Sequence, residues 1–288
     1  KLLPVQKLSI ESFVEQMAGQ GKFLVSLGGY WKGRKPLILV KACVLGCLLP
    51  TAQSSTRDLE IFEKLMAMDD ESFAIRAKRR PKPKEILSQL SLSPISDYFI
   101  SEPDGILPFS SPIDFNDPKY AGVRVTWCED VTELERRRLE AQLLPKGPYR
   151  ERVEESYRPE EVSENVHDHI WEEVNQHIGT NAHSFSELVE QLGIMRFGHR
   201  PKVADTFCGS GQIPFEAARL GCEVYASDLN PIACFLTWGA FNIVGGTSES
   251  REKLIQQQRK LAESVNMEMD KLGIEYDDKG WRAKAFLY

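Results

Sequence analysis

Downstream of Ser184 the apolar positions change period twice, and each change marks an element. Leu188, Val189, Leu192 and Ile194 fit the buried face of a helix that Ser184 or Ser186 can cap and that Gly198 and Pro201 end. Lys202-Val-Ala-Asp-Thr-Phe207 is short and β-like, and Cys208-Gly-Ser-Gly211 breaks it. Pro214 then stands at the start of an apolar helix that runs to Leu220. Gly221 terminates that helix, and Glu223-Val-Tyr-Ala-Ser-Asp228 forms a second strand. Helix, strand, glycine loop, helix, strand is the order of a βαβ unit in a parallel α/β sheet. An apolar helix continues from Pro231 to Phe241 and is broken at Gly245-Gly246. Ser248 to Leu272 reads as a long polar helix with a narrow apolar stripe of Leu254, Leu261, Val265, Met269 and Leu272.

Upstream the pattern is different. Residues 1 to about 75 read as helical around a glycine-rich interval at Gly28-Gly29, with Pro36 suited to the first turn of the apolar run from Leu37. Pro81 to Tyr120 is rich in Pro, Ser and Asp and reads as a long irregular excursion across a surface. Charged helices follow at about Thr132 to Leu144 and Asp168 to His177. The expected division is a mainly helical, loop-rich N-terminal region over 1–150, an acidic connecting segment over 151–183, and an α/β unit over 184–288.

Apolar residues make up 42% of the 288 and charged residues 27%, which places the chain among globular proteins and away from disordered ones. The longest greasy stretch, Leu37 to Leu49, contains Lys41 and falls short of the roughly 20 residues that cross a bilayer, so no membrane span is expected. The chain opens on Lys1 without a secretion-signal pattern and closes on Ala283-Lys-Ala-Phe-Leu-Tyr288, which reads like a strand cut off mid-sheet; a fragment is expected. Cysteines 43, 47, 128, 208, 222 and 234 show neither a C-x-x-C pair nor a His at zinc spacing, which favours buried, reduced thiols in a cytoplasmic protein.

Charge is unevenly placed. Glu151 to Glu173 holds nine acids and two bases, so it carries −7 of a net −6 and leaves +1 for the remainder. Arg76-Ala-Lys-Arg-Arg-Pro-Lys-Pro-Lys84 holds six bases in nine residues and can grip phosphates, although a solvated basic loop is the favoured reading. His167, Asp168 and His169 resemble a metal cluster on paper, but helix residues two apart do not share a face, so no metal site is assigned.

Glycines at the first turn of a βαβ unit let a nucleotide-like ligand approach the backbone at the carboxyl edge of the sheet. The dinucleotide pattern G-x-G-x-x-G fails because Pro214 takes the third place, and the phosphate loop G-x-x-x-x-G-K-[ST] is absent. What remains is Asp205-Thr-Phe-Cys-Gly-Ser-Gly211, with Asp228 at the tip of the next strand and Asn230-Pro231 directly after. An acid plus bare backbone suits S-adenosylmethionine, which carries a sulfonium and an amino acid in place of a pyrophosphate. Asp228 can accept the ribose hydroxyls and Asp205 can meet the ammonium, while Phe207, Cys208, Gly209, Ser210, Gly211, Leu229 and Asn230 complete the expected cofactor set. The amides from Asn181 to Ser184 can serve the methionine carboxylate or simply cap a helix. Trp31, Arg34 and Lys35 can lie beside that carboxylate or DNA phosphates.

The stretch from Asp205 to Ala233, with its Asp-Thr-Phe-Cys-Gly-Ser-Gly-Gln-Ile-Pro-Phe-Glu-Ala opening, closely resembles the cofactor motif of large bacterial and archaeal adenine-specific DNA methylases, in which a domain of unknown function precedes the methylase core. Trp31-Lys-Gly-Arg-Lys-Pro-Leu-Ile-Leu-Val-Lys-Ala42 is similar to their Trp-x-x-Arg-Arg-Pro-Leu signature, with Lys35 for the second Arg and Tyr30 for a common first Trp. The resemblance runs from about residue 30 to the end. It implies a partial Rossmann-like S-adenosylmethionine-dependent methyltransferase core and the N-terminal part of an enzyme that modifies adenine in double-stranded DNA, with partner proteins of a modification or phage-defence system.

The family's catalytic loop, [DNS]-P-P-[YFW], occurs nowhere in the 288 residues. The nearest imitation, Asp117-Pro-Lys-Tyr120, precedes the cofactor motif and reads as a turn. No catalytic residue is therefore assigned, and the chain alone is expected to be inactive. The alternatives are a noncatalytic cofactor-binding or scaffolding module, and methylation of RNA or protein by the same fold.

Overall fold

The first helix, α1 (Val5–Met17), caps the second from outside. Helix α2 (Leu37–Leu48) follows Pro36 and has no polar residue of its own at its N-terminus. Instead the Glu15 carboxylate accepts the Leu37 and Ile38 amides at 2.8 and 3.2 Å, satisfying two of the donors that a helix start leaves orphaned. Apolar nearly all round, α2 buries Leu37, Val40, Ala42, Leu45 and Leu48 against α1 and the later helices and leaves Leu39, Cys43 and Cys47 exposed. The computed structural model describes residues 3–17, 34–51, 54–144, 146–162, 166–273 and 279–280.

Two short helices follow, α3 (Ser55–Leu65) and α4 (Asp70–Arg76), capped by the side chains of Ser54 and Asp69. Next come α5 (Pro83–Gln89), strand β1 (Phe99–Glu102), strand β2 (Arg124–Trp127), α6 (Glu133–Ala141), α7 (Tyr149–Glu154) and α8 (Trp171–Ile178). Strands β1 and β2 pair antiparallel, with Phe99 opposite Trp127. The segment read as an irregular excursion is thus corrected. It folds round a core of its own, where Ile86, Leu87, Ile95, Phe99, Ile113 and Tyr120 are buried together. Its prolines obscured the pattern by breaking it into pieces too short to show a period.

The C-terminal part follows the sequence closely. Helix α9 (Phe185–Phe197) is capped by Ser184, whose hydroxyl accepts the Glu187 amide, and ends at Gly198 with φ +76°. Strand β3 (Lys202–Asp205), helix α10 (Gln212–Arg219) and strand β4 (Glu223–Ala226) form the βαβ unit. The strands are parallel, with Lys202 opposite Glu223 and Asp205 opposite Ala226. Helix α11 (Pro231–Gly239) passes into a π-helical turn over Ala240–Val244, and α12 (Ser248–Leu272) has no buried residue.

The described residues therefore form a mixed α/β structure, mostly helical, with two two-stranded sheets. The main core crosses both boundaries read from the sequence. Leu45 of α2, Ile61 and Leu65 of α3, Val174 of α8, Leu188 and Leu192 of α9 and Ala217 of α10 belong to one buried cluster. The cysteines also need correction: Cys208 and Cys222 are buried, whereas Cys43, Cys47 and Cys234 are exposed. No helix among the described residues is long and apolar enough to cross a membrane.

Candidate functional site

Beyond β3 and β4 the two chain segments stay joined. The Ser227 amide donates to the Asp205 carbonyl at 2.9 Å, and the Cys208 amide donates to the Ser227 carbonyl at 3.1 Å. The glycine loop is thereby held beside the tip of β4. Asp228 adds a side-chain tether, its Oδ2 accepting the Gly209 amide and its Oδ1 the Asn230 amide, both at 2.9 Å. These amides, Asn230 first and Gly209 second, hold the Asp228 carboxyl below its usual pKa, so it is charged at neutral pH. Asp205 Oδ1 accepts the Phe207 amide at 3.1 Å. Asn230 caps α11 by accepting the Ile232 amide at 2.9 Å, with Pro231 in the first turn.

Helix α11 closes the loop from the other side. Thr237 Oγ1 donates to the Gly209 carbonyl at 3.3 Å and lies 3.3 Å from Cys208 Sγ. Gly211 has φ +80°, and a Cβ there would stand 2.8 Å from Thr237 Oγ1 and 3.1 Å from its Cα. Glycine at 211 is needed for packing before any ligand is considered. The Cys208 thiol is pushed up by burial, with Asp228 and Asp205 adding to the effect, so it is a poor nucleophile.

Two features concern a ligand directly. Gln212, the first residue of α10, is buried with its Oε1 engaged by the Ser210 hydroxyl, while its Nε2 has no hydrogen-bond partner. A buried unpaired amide donor at the start of a helix is a place for an acceptor. Second, the carboxylates of Asp205 and Asp228 accept the Phe207 and Gly209 amides at the loop, and neither 203–218 nor 224–250 contains a Lys or Arg. Such a loop repels a pyrophosphate and favours a ligand bearing positive charge. Phe207 and Leu229 flank it with 78% and 93% of their surfaces exposed.

The other sequence candidates fall elsewhere. Trp31 lies outside the described residues. Arg34 is half-buried, its pKa lowered chiefly by burial, in the fields of Glu15 and Arg158. The Asn181 amide donates to Gln191 Oε1, the Ala182 amide to Asn175 Oδ1 and the His183 amide to Glu187 Oε2, all within the connection from α8 to α9. Asp117 accepts the Lys119 amide in a 3-10 turn, and the Tyr120 ring is buried against Phe115.

The basic run from Arg76 to Lys84 is not one solvated patch. Arg76 is fully buried and bonds Glu11, the Ala67 carbonyl and the Tyr157 carbonyl, Arg79 pairs with Glu85, and Arg80 with Glu133 and Glu140. His169 Nε2 sits 3.1 Å from Asp69, whereas His167 is packed edge-on against Phe185 and pushed down to about 2 by burial and Lys41, so it is neutral.

Sequence reasoning missed Thr237, which carries no signal in its apolar helix, and Gln212, which could have been found as the first side chain after the loop. It also missed Glu216, an acid on the apolar face of α10 that is wholly buried with Arg219 at 2.7 and 2.8 Å. A family model described as "Protein of unknown function (DUF1156)" matches residues 2–66, the stretch that holds α1, α2 and α3. No curated protein and no solved structure matches the chain.

Proposed function

We propose that the region from Ser184 onward is the cofactor-binding half of a Rossmann-like S-adenosylmethionine-dependent methyltransferase. The observation that carries this reading is a base-free glycine loop between two parallel strands, flanked by Asp205 and Asp228. Each Asp228 oxygen spends one acceptor site on a backbone amide and has another for a ribose hydroxyl. Asp205 suits the ammonium, and the unpaired Gln212 amide suits the carboxylate of the same ligand. Phe207 and Leu229 offer apolar surface for an adenine ring. The cofactor would supply a methyl group already activated on sulfur; the chain's own residues bind and orient it.

Adenine in DNA as the substrate rests on the resemblance of residues 205–233 and 31–42 to the adenine-specific methylases. Arg76, Arg79 and Arg80 of the 76–84 run are ion-paired within the chain and give DNA binding no added support. A noncatalytic binding module is the second reading, favoured by the burial of Tyr120 in the sole imitation of a catalytic tetrapeptide.

Calorimetric titration tests the proposal. S-adenosylmethionine and its demethylated product should bind, whereas NAD and ATP should not. Tighter binding of NAD, or no heat with either sulfur ligand, would overturn it.

A further inference from the structure

Helix α12 runs for 25 residues and buries none of them. Helices in proteins draw most of their stability from packing an apolar face, and the apolar face of α12 stands exposed. Leu254, Leu261, Val265 and Leu272 recur at intervals of 7, 4 and 7 residues and are all exposed. At about 100° per residue they fall within about 40° of one another, which is the seam of a two-helix coiled coil. The two borders of the seam differ. Ile255, Ala262 and Met269 lie along one side of it, and Gln257, Ser264 and Lys271 along the other. Charge is divided along the axis as well. Residues 248–260 hold four bases and two acids, whereas 261–272 hold one base and three acids, so the halves carry +2 and −2. The charged residues nearest the seam follow the same division, with Arg251 toward its start and Glu268 toward its end.

We propose that α12 is a dimerisation helix, which pairs antiparallel with α12 of a second copy of this chain. The pairing is independent of the S-adenosylmethionine reading. In a parallel pair, halves of like charge would lie side by side, and the apolar border of each copy would face the polar border of the other. Antiparallel pairing about a two-fold axis sets the +2 half against the −2 half and the apolar border against its own counterpart. Laid over each other along their full length, the helices bring Leu254 against Val265 of the second copy, Leu261 against Gln258 of the second copy and Arg251 against Glu268 of the second copy. The two-fold axis makes each of these contacts twice. Gln258 interrupts the seam with one uncharged polar side chain, a device that fixes register at some cost in stability. A phosphate backbone would suit the first half of the helix but be repelled by the second.

Sedimentation velocity on residues 1–288 tests the pairing, under reducing conditions that keep the exposed Cys43, Cys47 and Cys234 from linking copies. The wild type should show a monomer–dimer equilibrium between about 1 and about 100 μM, as suits an interface of one helix per copy. Leu261→Glu should be monomeric throughout, with an unchanged unfolding midpoint for the main core, because the residue is exposed in a single copy. Arg251→Glu and Glu268→Arg should each weaken the dimer about tenfold, since each reversal sets like charges together at two symmetric contacts. Combining the two should return the dimer to within about threefold of the wild type. Residues 251 and 268 stand about 25 Å apart along one helix, too far to compensate each other within a copy. A chain that stays monomeric up to about 100 μM would overturn the proposal, as would a dimer indifferent to Leu261→Glu. So would a combined variant no tighter than the single ones, because the restoration belongs to the antiparallel alignment alone. Should Leu261→Glu not fold, the three charge variants carry the comparison.

Discussion

Asp228 accepts the Gly209 amide at 2.9 Å, so the acid at the tip of the second strand is bonded to the loop that follows the first. This single bond gives Asp228 two duties. It shapes the loop in the absence of any ligand, and it presents a charged, half-buried carboxylate at the tip of β4.

Asp228→Ala removes both duties and Asp228→Asn mainly the charge. Affinity for S-adenosylmethionine should fall roughly tenfold to a hundredfold in the alanine variant, as expected for losing a charge-assisted hydrogen bond, and less in the asparagine variant. Calorimetry on the three proteins decides it. Equal affinities throughout would leave Asp228 as a loop tether alone.

Gly211 provides a contrast, because it is constrained from within the fold. Gly211→Ala places a Cβ against Thr237 and forces an L-residue to φ +80°, which costs about 1–2 kcal/mol for the backbone and about 1–3 kcal/mol for the overpacking. Urea unfolding should show the loss without ligand. An unchanged midpoint would mean that α11 yields at Thr237, and lost binding in this variant could then be charged to the ligand site.

The reason the βαβ unit was legible and the rest was not lies in the range of the interactions. Ser184, Gly198, Gly211 and Asn230 act on backbone within a few residues, so capping and turn rules locate them. The partners Glu15 and Leu37, and Glu11 and Arg76, lie far apart in sequence, and no local pattern announces that one completes the other. The basic run illustrates the cost. Counted as six charges it suggests a surface, yet its first member is a buried side chain satisfying two carbonyls and a carboxylate.

Arg76→Met should therefore destabilise the fold by about 3–5 kcal/mol, since it leaves the Glu11 carboxylate buried with only the Tyr149 hydroxyl, 3.0 Å away, as donor. Glu11→Gln together with Arg76→Met should recover part of the loss. Denaturant midpoints of the single and double variants measure this. A surface residue would lose less than about 0.5 kcal/mol, which would contradict the burial of Arg76.

For Lys41 the linkage has a definite sign. The native ammonium titrates near 7 and the unfolded one near its ordinary 10.5, so between these values the unfolded chain binds a proton that the native chain does not. Wild-type stability should accordingly rise, relative to Lys41→Met, from neutrality toward about pH 10. A relative gain of the order of 2 kcal/mol is expected between about pH 6.5 and about pH 9. Unfolding midpoints that move in parallel would show that Lys41 is not the titrating group.

Methyl transfer makes the last demand, because holding an activated methyl lowers no barrier unless the accepting amine is held beside it. For adenine in a duplex this requires extruding the base and stacking it on an exposed aromatic ring. Tyr120 cannot serve, since its ring is buried with Phe115 in the core round Ile86 and Phe99, and Asp117 is occupied in capping its own turn. Residues 1–288 saturated with S-adenosylmethionine should incorporate no labelled methyl into unmethylated DNA. Asp117→Ala should leave cofactor affinity unchanged, and Tyr120→Ala should cost stability, of the order of 3 kcal/mol, through the cavity it opens. Robust incorporation abolished by Tyr120→Ala, with the fold intact by circular dichroism, would place the catalytic loop in that turn after all.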